Sequence, residues 1–361
     1  MMNPVNVNNY VGIDVGKRSL EIVRIVQDGS IQRHKTGTTG KELDNLVKWL
    51  KTDDMAVLEA GNLSFRIAKK IMSEKGIPVV VLNPGDVATI YKSLKKTDRE
   101  DALKLARLAQ RNPLEELPSV QIPSEAEENW RRLCSEQTFW AREVSKVKNR
   151  LHSLFVSAGL THIKKNDIGR KKNRARIVGL LPEDYSTEAM RIMRQLEMIE
   201  ENLCSVLNEI ITVLNEQHSY SNLVMSMPGI GPVAAITLLA YVGRCERFSR
   251  GKQLAYYAGM VPRVDVSGDM VRYGRILSRG CGALRRIIIE CANSLVRSKH
   301  SGELGAFYRR LRKRKGHKKA IVAVGRKMLE VLFVIIKSGE LYRYSNSEFI
   351  EKKLHHYGIA A

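Results

Sequence analysis

Four acidic residues, Asp14, Glu59, Asp98 and Asp101, carry the most specific chemical signal in the sequence. Asp14 lies inside Val11-Gly-Ile-Asp-Val-Gly-Lys17, an apolar run closed by a glycine turn. Glu59 ends a second apolar run, Met55-Ala-Val-Leu-Glu59, while Asp98 and Asp101 stand three apart in Lys96-Thr-Asp-Arg-Glu-Asp-Ala102. In a helix, residues at i and i+3 share a face, so both carboxylates can address one ion. Carboxylates gathered this way repel one another unless a cation neutralises them. An all-oxygen set suits Mg²⁺ or Mn²⁺, and paired ions can clamp both oxygens of a phosphodiester under attack. Read singly, Asp98 and Asp101 are ordinary residues of a solvated helix face, as Glu100 is. The set of four is what points to metal-assisted chemistry on nucleic acid.

The elements that must position these acids follow from hydrophobic period and turn residues. Residues 11–15, 19–27 and 30–36 predict three strands of an antiparallel meander, turning at Gly16-Lys17 and Asp28-Gly29. Residues 41–51 have the i, i+3, i+4 apolar spacing of a helix. Strand 55–59, helix 64–75 closed by Gly76, and strand 77–82 follow; after Pro84, residues 86–111 read as one long helix holding Asp98 and Asp101. The order βββαβαβα is that of the RNase H/RuvC-like α/β fold, in which first-strand, fourth-strand and last-helix acids converge.

Beyond Pro113, Pro118 and Pro123 the pattern is nearly all helical to about residue 218, with a basic loop at 162–176. Residues 130–160 and 186–214 are long enough to pair as an all-α coiled-coil spacer. The stripe Ile192, Leu196, Ile199, Leu203, Leu207, Ile210, Ile211 and Leu214 reads as its packing seam. Trp130 and Trp140, ten apart on the spacer, read as core or seam rather than base-stacking groups. The last part is expected to be mostly α. Met227-Pro-Gly-Ile-Gly-Pro232 opens an apolar helix with a tight turn of helix-hairpin-helix type, whose glycines would allow close approach to phosphate; a purely structural turn fits equally. The predicted domains are 1–112, 113–220, 221–345 and a tail at 346–361.

Composition narrows the class. The 361 residues are 43% hydrophobic and 27% charged, which is globular and long enough for two or three cores. No stretch reaches the roughly 18 unbroken apolar residues of a membrane span, and residues 328–337 are interrupted by Glu330. No signal pattern opens the chain, so a cytoplasmic location is expected. The five cysteines are scattered without a CxxC pair, which predicts reduced structural thiols rather than disulfides or zinc. Sixty Lys and Arg against 38 Asp and Glu give a net charge of +22, an excess that favours phosphate backbones through counterion release. It is concentrated in residues 141–176, with eleven cations against two acids, and in 297–319, with ten against one. His152, His162, His300 and His317 lie in basic surroundings that suit phosphate or solvent better than a metal.

At this point the sequence resembles the DEDD transposases of the insertion-sequence 110 type, which include the Piv-type DNA invertases. The N-terminal likeness rests on Gly-Ile-Asp14-Val-Gly-Lys, Leu-Glu59-Ala and Lys-Thr-Asp98-Arg-Glu-Asp101-Ala. The C-terminal likeness rests on Pro228-Gly-Ile-Gly231, Phe248, Leu254-Ala-Tyr-Tyr-Ala-Gly259, Pro262, Ser267-Gly-Asp-Met-Val-Arg-Tyr-Gly274-Arg-Ile276, Gly280 and Leu284-Arg285. Cys281 departs from the pattern, which often has Asn or Asp there. The resemblance implies that the four acids hold Mg²⁺ (or Mn²⁺) and that Ser267 attacks the scissile phosphate and becomes covalently linked to DNA. It also implies a site shared between protomers, dimers and tetramers on DNA, a non-coding bridge RNA as guide, and a bacterial, nucleoid-associated enzyme.

Locally, a serine before glycine is a common loop residue, and Ser249 and Ser278 are nearby competitors outside the motif position. Arg263, Arg272, Arg275 and Arg279 suit an anionic target, Arg272 and Arg275 being the expected phosphate clamps. Arg309, Arg310, Arg312 and Lys313 are candidate nucleic-acid contacts in the basic run. Sugar-kinase and actin-like ATPases share a Gly-x-Asp-x-Gly turn, but their second phosphate loop and adenosine-binding glycine pair are not found. Within recombination, a Piv-type invertase is the alternative. Outside it stand a RuvC-like nuclease using metal and water, and a non-catalytic nucleic-acid-binding scaffold.

Overall fold

The structure is a computed structural model that describes residues 7–90, 97–267, 270–277 and 279–360. The chain divides into two compact units, Met1–Ser124 and Glu125–Ala361.

The first unit is a five-stranded mixed sheet with helices on both faces. Its elements are β1 (Asn9–Val15), β2 (Ser19–Ile25), β3 (Ile31–Gly37), α1 (Gly40–Trp49), β4 (Asp54–Glu59), α2 (Ser64–Lys75), β5 (Val79–Leu82), α3 (Pro84–Ile90) and α4 (Asp98–Arg111). The sheet order is β3-β2-β1-β4-β5. The first three strands pair antiparallel, and β1-β4-β5 pair parallel. Alternation along each strand sorts the side chains between two cores. Val11, Ile13, Leu20, Ile22, Ala56 and Leu58 meet Leu43 and Leu46 of α1 and Ile67 and Ile71 of α2. On the opposite face Val23 and Ile25 meet Ala102, Leu103 and Ala106, and Met55 and Val57 meet Leu105 and Leu108, all on α4. This is the mixed α/β sheet expected of a RuvC-like unit.

Beneath the sheet a buried ion pair ties β2 to β4. The Arg24 guanidinium, 2% exposed, donates to both Asp54 oxygens at 2.7 to 3.2 Å and lies 3.8 Å over the Trp49 ring.

The long helix expected over 86–111 is not one helix. The described part of α3 runs to Ile90, residues 91–96 lie outside the described residues, and α4 begins at Asp98. Thr97 is extended (φ −139°, ψ 147°) and its hydroxyl accepts the Glu100 N–H at 3.4 Å. A threonine N-cap followed by three acids in the first turn is a favourable helix start, by capping and by the helix dipole. Part of the proline segment also packs on the sheet: Val120 N–H donates to Val81 O at 2.7 Å and Asn83 N–H to Pro118 O at 2.8 Å.

The second unit is mostly helical. Its long helices α5 (Glu125–Ser157) and α8 (Glu183–Glu216) run antiparallel, joined by α6 (Lys165–Gly169) and α7 (Lys171–Val178). At one end Leu151 and Phe155 of α5 meet Ala189 and Leu196 of α8; at the other, Cys134 shares a core with Ile210 and Leu214. The apolar stripe of α8 is therefore a seam inside the chain. The far core gathers α9 (His218–Met225), α10 (Pro232–Tyr241), α11 (Gly251–Tyr257), α12 (Gly282–Leu295), α13 (Gly302–Ser338) and α14 (Ser347–His356). Residues 346–361, expected to be a tail, contribute α14 to this core, with Ile350, Leu354 and Ile359 buried. The turn glycine Gly229 (φ 86°) lets the chain touch α12: a Cβ there would meet Leu295 N at 3.0 Å and Cys291 O closer still.

One feature departs from the helical expectation. Strands β6 (Pro262–Ser267) and β7 (Met270–Ile276) form an antiparallel hairpin within the part expected to be mostly α. Its valines and Tyr273 have the β-branched and aromatic character that favours strands.

Candidate active site

The acids meet because strand period and register put them there. Gly12 faces α4 so closely that a Cβ would stand 2.6 Å from Ala106 N and nearer still to Ala102 O. Two residues on, Asp14 points to the same face. Val57 packs on α4 as well, so Glu59 shares that face at the end of β4, and the parallel register aligns Ile13 with Leu58 beside it. The α4 helix, seated over Gly12, carries Asp98 and Asp101 in its first turn. All four sequence-predicted acids are thus brought to one end of one sheet face.

The electrostatics register the crowding. Burial first, then the charges of Asp98, Asp101 and Glu59, push the Asp14 carboxyl up from 3.8 to about 6, against the lowering effect of the Val15 backbone N–H. The cluster is nevertheless open as it stands. Among the described residues no three acid, histidine or cysteine side chains are close enough to coordinate one ion. Asp101 is held instead by Lys104, whose ammonium donates to it at 2.5 Å. The donors are all carboxylate oxygens, and a cation among them would relieve the repulsion that raises Asp14. The residues fit a hard divalent ion.

A fifth acid escaped the sequence reading. Glu21 is the cross-strand partner of Asp14 and points to the same face. It accepts from Lys35 at 2.5 Å, and Arg99 of α4 approaches it to 3.9 Å. The signal was available: Asp14 and Glu21 lie symmetrically about the Gly16–Ser19 turn of the first hairpin.

In the second unit Ser267 is exposed at the end of β6, paired with Met270; residues 268 and 269 between them lie outside the described residues. The hairpin sorts the arginines. Asp265 pairs with Arg272 and Val264 with Tyr273, so Arg272 shares the Ser267 face and Val264, Val266 and Tyr273 lie on the other; a register shift beyond Val264 breaks the alternation before Arg275. That other face is apolar and unpartnered within this unit, with Val266 66% and Tyr273 72% exposed. Arg263 is engaged with Asp265 at 3.0 Å. Arg279 is exposed beyond the hairpin, and Ser278 lies outside the described residues. Ser249 is committed to Gln253 through backbone and hydroxyl, at 2.8 and 3.0 Å.

The base of the hairpin is clamped by motif residues. Gly280 (φ 107°) presses against Gly259, where a Cβ would stand 2.7 Å from the Gly259 nitrogen. Arg285 donates to Leu277 O at 2.8 Å and Arg279 O at 3.4 Å, and Cys281 N–H to Tyr257 O at 2.8 Å. Cys281, the departure from the family pattern, is the half-buried N-cap of α12, its thiol pushed up by burial.

The remaining candidates are placed as follows. Arg309, Arg310, Arg312 and Lys313 are exposed on α13. Trp130 and Trp140 are partly buried against the helical cores. His300 contacts Tyr344 O at 3.2 Å and His317 the Tyr308 hydroxyl at 2.8 Å. All five cysteines are free, and no described helix is long and apolar enough to cross a membrane.

Two family models match the chain. A family model described as a transposase, of the DEDD type of IS110, matches residues 11–159, and the model of the Transposase IS116/IS110/IS902 family matches residues 221–309. The transposase for insertion sequence element IS1111A of Coxiella burnetii is 25% identical over 280 residues, 74% of each chain. The pilin gene-inverting protein of Moraxella bovis is 23% identical over 342 residues, 91% of this chain and 95% of its own. A putative transposase of Sinorhizobium fredii is 30% identical over 145 residues, 39% of this chain and 38% of its own. With one model on the acid-bearing sheet and α5, and the other on the serine-bearing hairpin and its clamp, the chain belongs to the IS110 family of DEDD transposases, enzymes that act on DNA.

Proposed function

We propose that this enzyme cuts and rejoins DNA strands through a covalent phosphoserine, with Asp14, Glu59, Asp98 and Asp101 holding divalent metal, Mg²⁺ by preference. What supports the metal half is the gathering of the four carboxylates at one end of one sheet face, where burial first, and then the charges of Asp98, Asp101 and Glu59, push the Asp14 carboxyl up to about 6. Bound there, the ion would supply charge neutralisation at the phosphate and a lowered pKa for the attacking hydroxyl. In the reaction, Ser267 Oγ attacks phosphorus, its proton leaves to a base, and one sugar oxygen departs as a hydroxyl. The serine ester conserves the bond, so a sugar hydroxyl from another strand can reverse the step without ATP. Arg272, on the Ser267 face, offers a bidentate clamp to the phosphate, with Arg263, Arg275 and Arg279 as further backbone contacts.

The exposed apolar face of the β6–β7 hairpin supports assembly with a second copy, as a dimer and then a tetramer on DNA. Guidance by a bridge RNA belongs to the same reading and rests on family resemblance; a helix-hairpin-helix contact at Met227–Pro232 rests on its glycine turn, which a purely structural role fits equally. DNA inversion is the second reading, favoured because pilin gene-inverting relatives match over 91% of the chain.

The test is strand exchange between element ends and target by purified protein. Activity should require a divalent ion and fall to background in Asp14→Asn, and RNase treatment should abolish sequence-directed joining. Undiminished turnover of Asp14→Asn in chelator would remove the metal from the account. Inverted repeats flanking a promoter, in place of element ends beside the gene, would select inversion.

A further inference from the structure

We infer that the tip of α13 is a clamp for the phosphate backbone of duplex DNA. The helix is broken at Gly316, whose φ of 76° and ψ of 170° are open to little but glycine. The two halves fold back on each other: Lys327 Nζ lies 5.4 Å from the Phe307 ring, whereas a straight helix would hold residues twenty apart about 30 Å from each other. Leu304 and Phe307 from one half and Val331 and Val334 from the other line one cavity of about 580 Å³. The hairpin is pinned near its tip, where the buried Tyr308 hydroxyl meets His317 Nδ1 at 2.8 Å across the break.

Residues 312–319 contain six cations, Arg312, Lys313, Arg314, Lys315, Lys318 and Lys319, and no acid. Every one is exposed, and among the described residues none is in an ion pair. Elsewhere in this unit cations are matched: Lys148, Lys171 and Arg174 converge on Glu200, and Arg326 meets Glu330 at 3.3 Å. Six unneutralised cations at one turn repel one another, and an anionic partner removes that cost.

The chemistry of the tip selects the partner. It has no Phe, Tyr or Trp on which a single-stranded base could stack, and its one imidazole, His317, is set edge-on against Tyr308. His317 Nδ1 is engaged with the Tyr308 hydroxyl, and the six cations carry only donors, which suit the acceptor-rich phosphate backbone. Two packed helices with their side chains are roughly 20 Å across, wider than a major groove of about 12 Å. The tip therefore suits lying astride a groove, on phosphates of both strands. The choice of DNA over RNA rests on the recombinase reading above; the charge and geometry do not.

The test is equilibrium binding of the full chain to a duplex of arbitrary sequence across a salt titration. The variant Lys313→Gln/Arg314→Gln/Lys318→Gln/Lys319→Gln is expected to make the slope of log K against log salt shallower by about 3 to 4, at about 0.9 for each phosphate no longer neutralised. The fall in affinity should be equal on a second, unrelated duplex, with the melting temperature unchanged. The smaller pair Arg312→Gln/Lys315→Gln should remove about 2 from the slope. An unchanged slope in both variants overturns the clamp, as does a weakening seen only with an RNA duplex of the same sequence. Because binding is read without strand chemistry, the two readings fail separately. A chain that recombines but keeps its slope refutes the clamp alone, and one that cuts nothing yet has the shallower slope refutes the recombinase alone.

Discussion

Replacing Gly12 by alanine tests how the acid cluster is assembled. The new Cβ would stand 2.6 Å from Ala106 N and nearer to Ala102 O, where ordinary contact begins at about 3.4 Å. Both obstacles are backbone atoms of α4, so no side chain can swing aside and the helix must recede by about 1 Å. Forced overpacking of this kind costs about 1–3 kcal/mol, and the packing of Ala102 and Ala106 against Val23 and Ile25 weakens with it. The chemical consequence should be larger. Asp98 and Asp101 ride on α4 while Asp14 and Glu59 are fixed to the sheet, and a misplacement of about 1 Å can cost roughly 100-fold in rate. Urea unfolding is the assay for stability, with Trp49 left as sole reporter by Trp130→Phe and Trp140→Phe; strand exchange is the assay for rate. Gly40→Ala is the control, because a Cβ there meets nothing within 4 Å. Stability within about 0.5 kcal/mol of the parent, together with an undiminished rate, would refute the reasoning.

Three further outcomes follow from particular contacts. Asp14→Asn should stabilise the metal-free protein above pH 6 and not below pH 4: the raised acid keeps its full stability below 3.8 and loses it as pH rises through about 6. The rise corresponds to roughly 3 kcal/mol, reduced by solvent screening to about 1–2, and a gain independent of pH in Trp49 urea curves would contradict it. Asp54→Ala leaves Arg24 buried without its carboxylate and should cost about 3–5 kcal/mol in the same measurement; a loss under about 1 kcal/mol would show the pair to be dispensable. Arg285→Gln removes the donor to Leu277 O and Arg279 O, a loss of about 1.5–3 kcal/mol. Hydrogen exchange across β6 and β7 should quicken at least about tenfold while α12 amides stay as they were, and uniform acceleration would mean a general loss of fold instead.

The acid-bearing unit was largely legible in the sequence. Its strands are short apolar runs of period two punctuated by Gly, Asp and Pro, and the acids sit where those runs end. The break before α4 was hidden because residues 86–111 are helix-compatible throughout, and only the capping propensity of Thr97 marked it. Glu21 was missed because its importance lies in cross-strand register with Asp14, which composition does not reveal. In the second unit the α5–α8 seam could be read from its periodicity. The β6–β7 hairpin was obscured by Gly268, Gly274, Gly280 and Gly282, although Val264, Val266, Val271 and Tyr273 carried the strand signal. Gly316 sits in the basic run of 297–319 with nothing beside it to mark a break; its positive φ, and the fold-back it permits, are tertiary facts.

Ser267 is where the account is most exposed to a single observation. The enzyme should be mixed with element-end DNA and a divalent ion, quenched under denaturing conditions and digested, and the protein–DNA adduct mapped by mass spectrometry. The account predicts a nucleotide remnant esterified to Ser267, absent from Ser267→Ala and from Asp14→Asn. Cleaved DNA with no adduct, or cleavage at an unchanged rate by Ser267→Ala, would contradict it and leave a nuclease that uses metal and water.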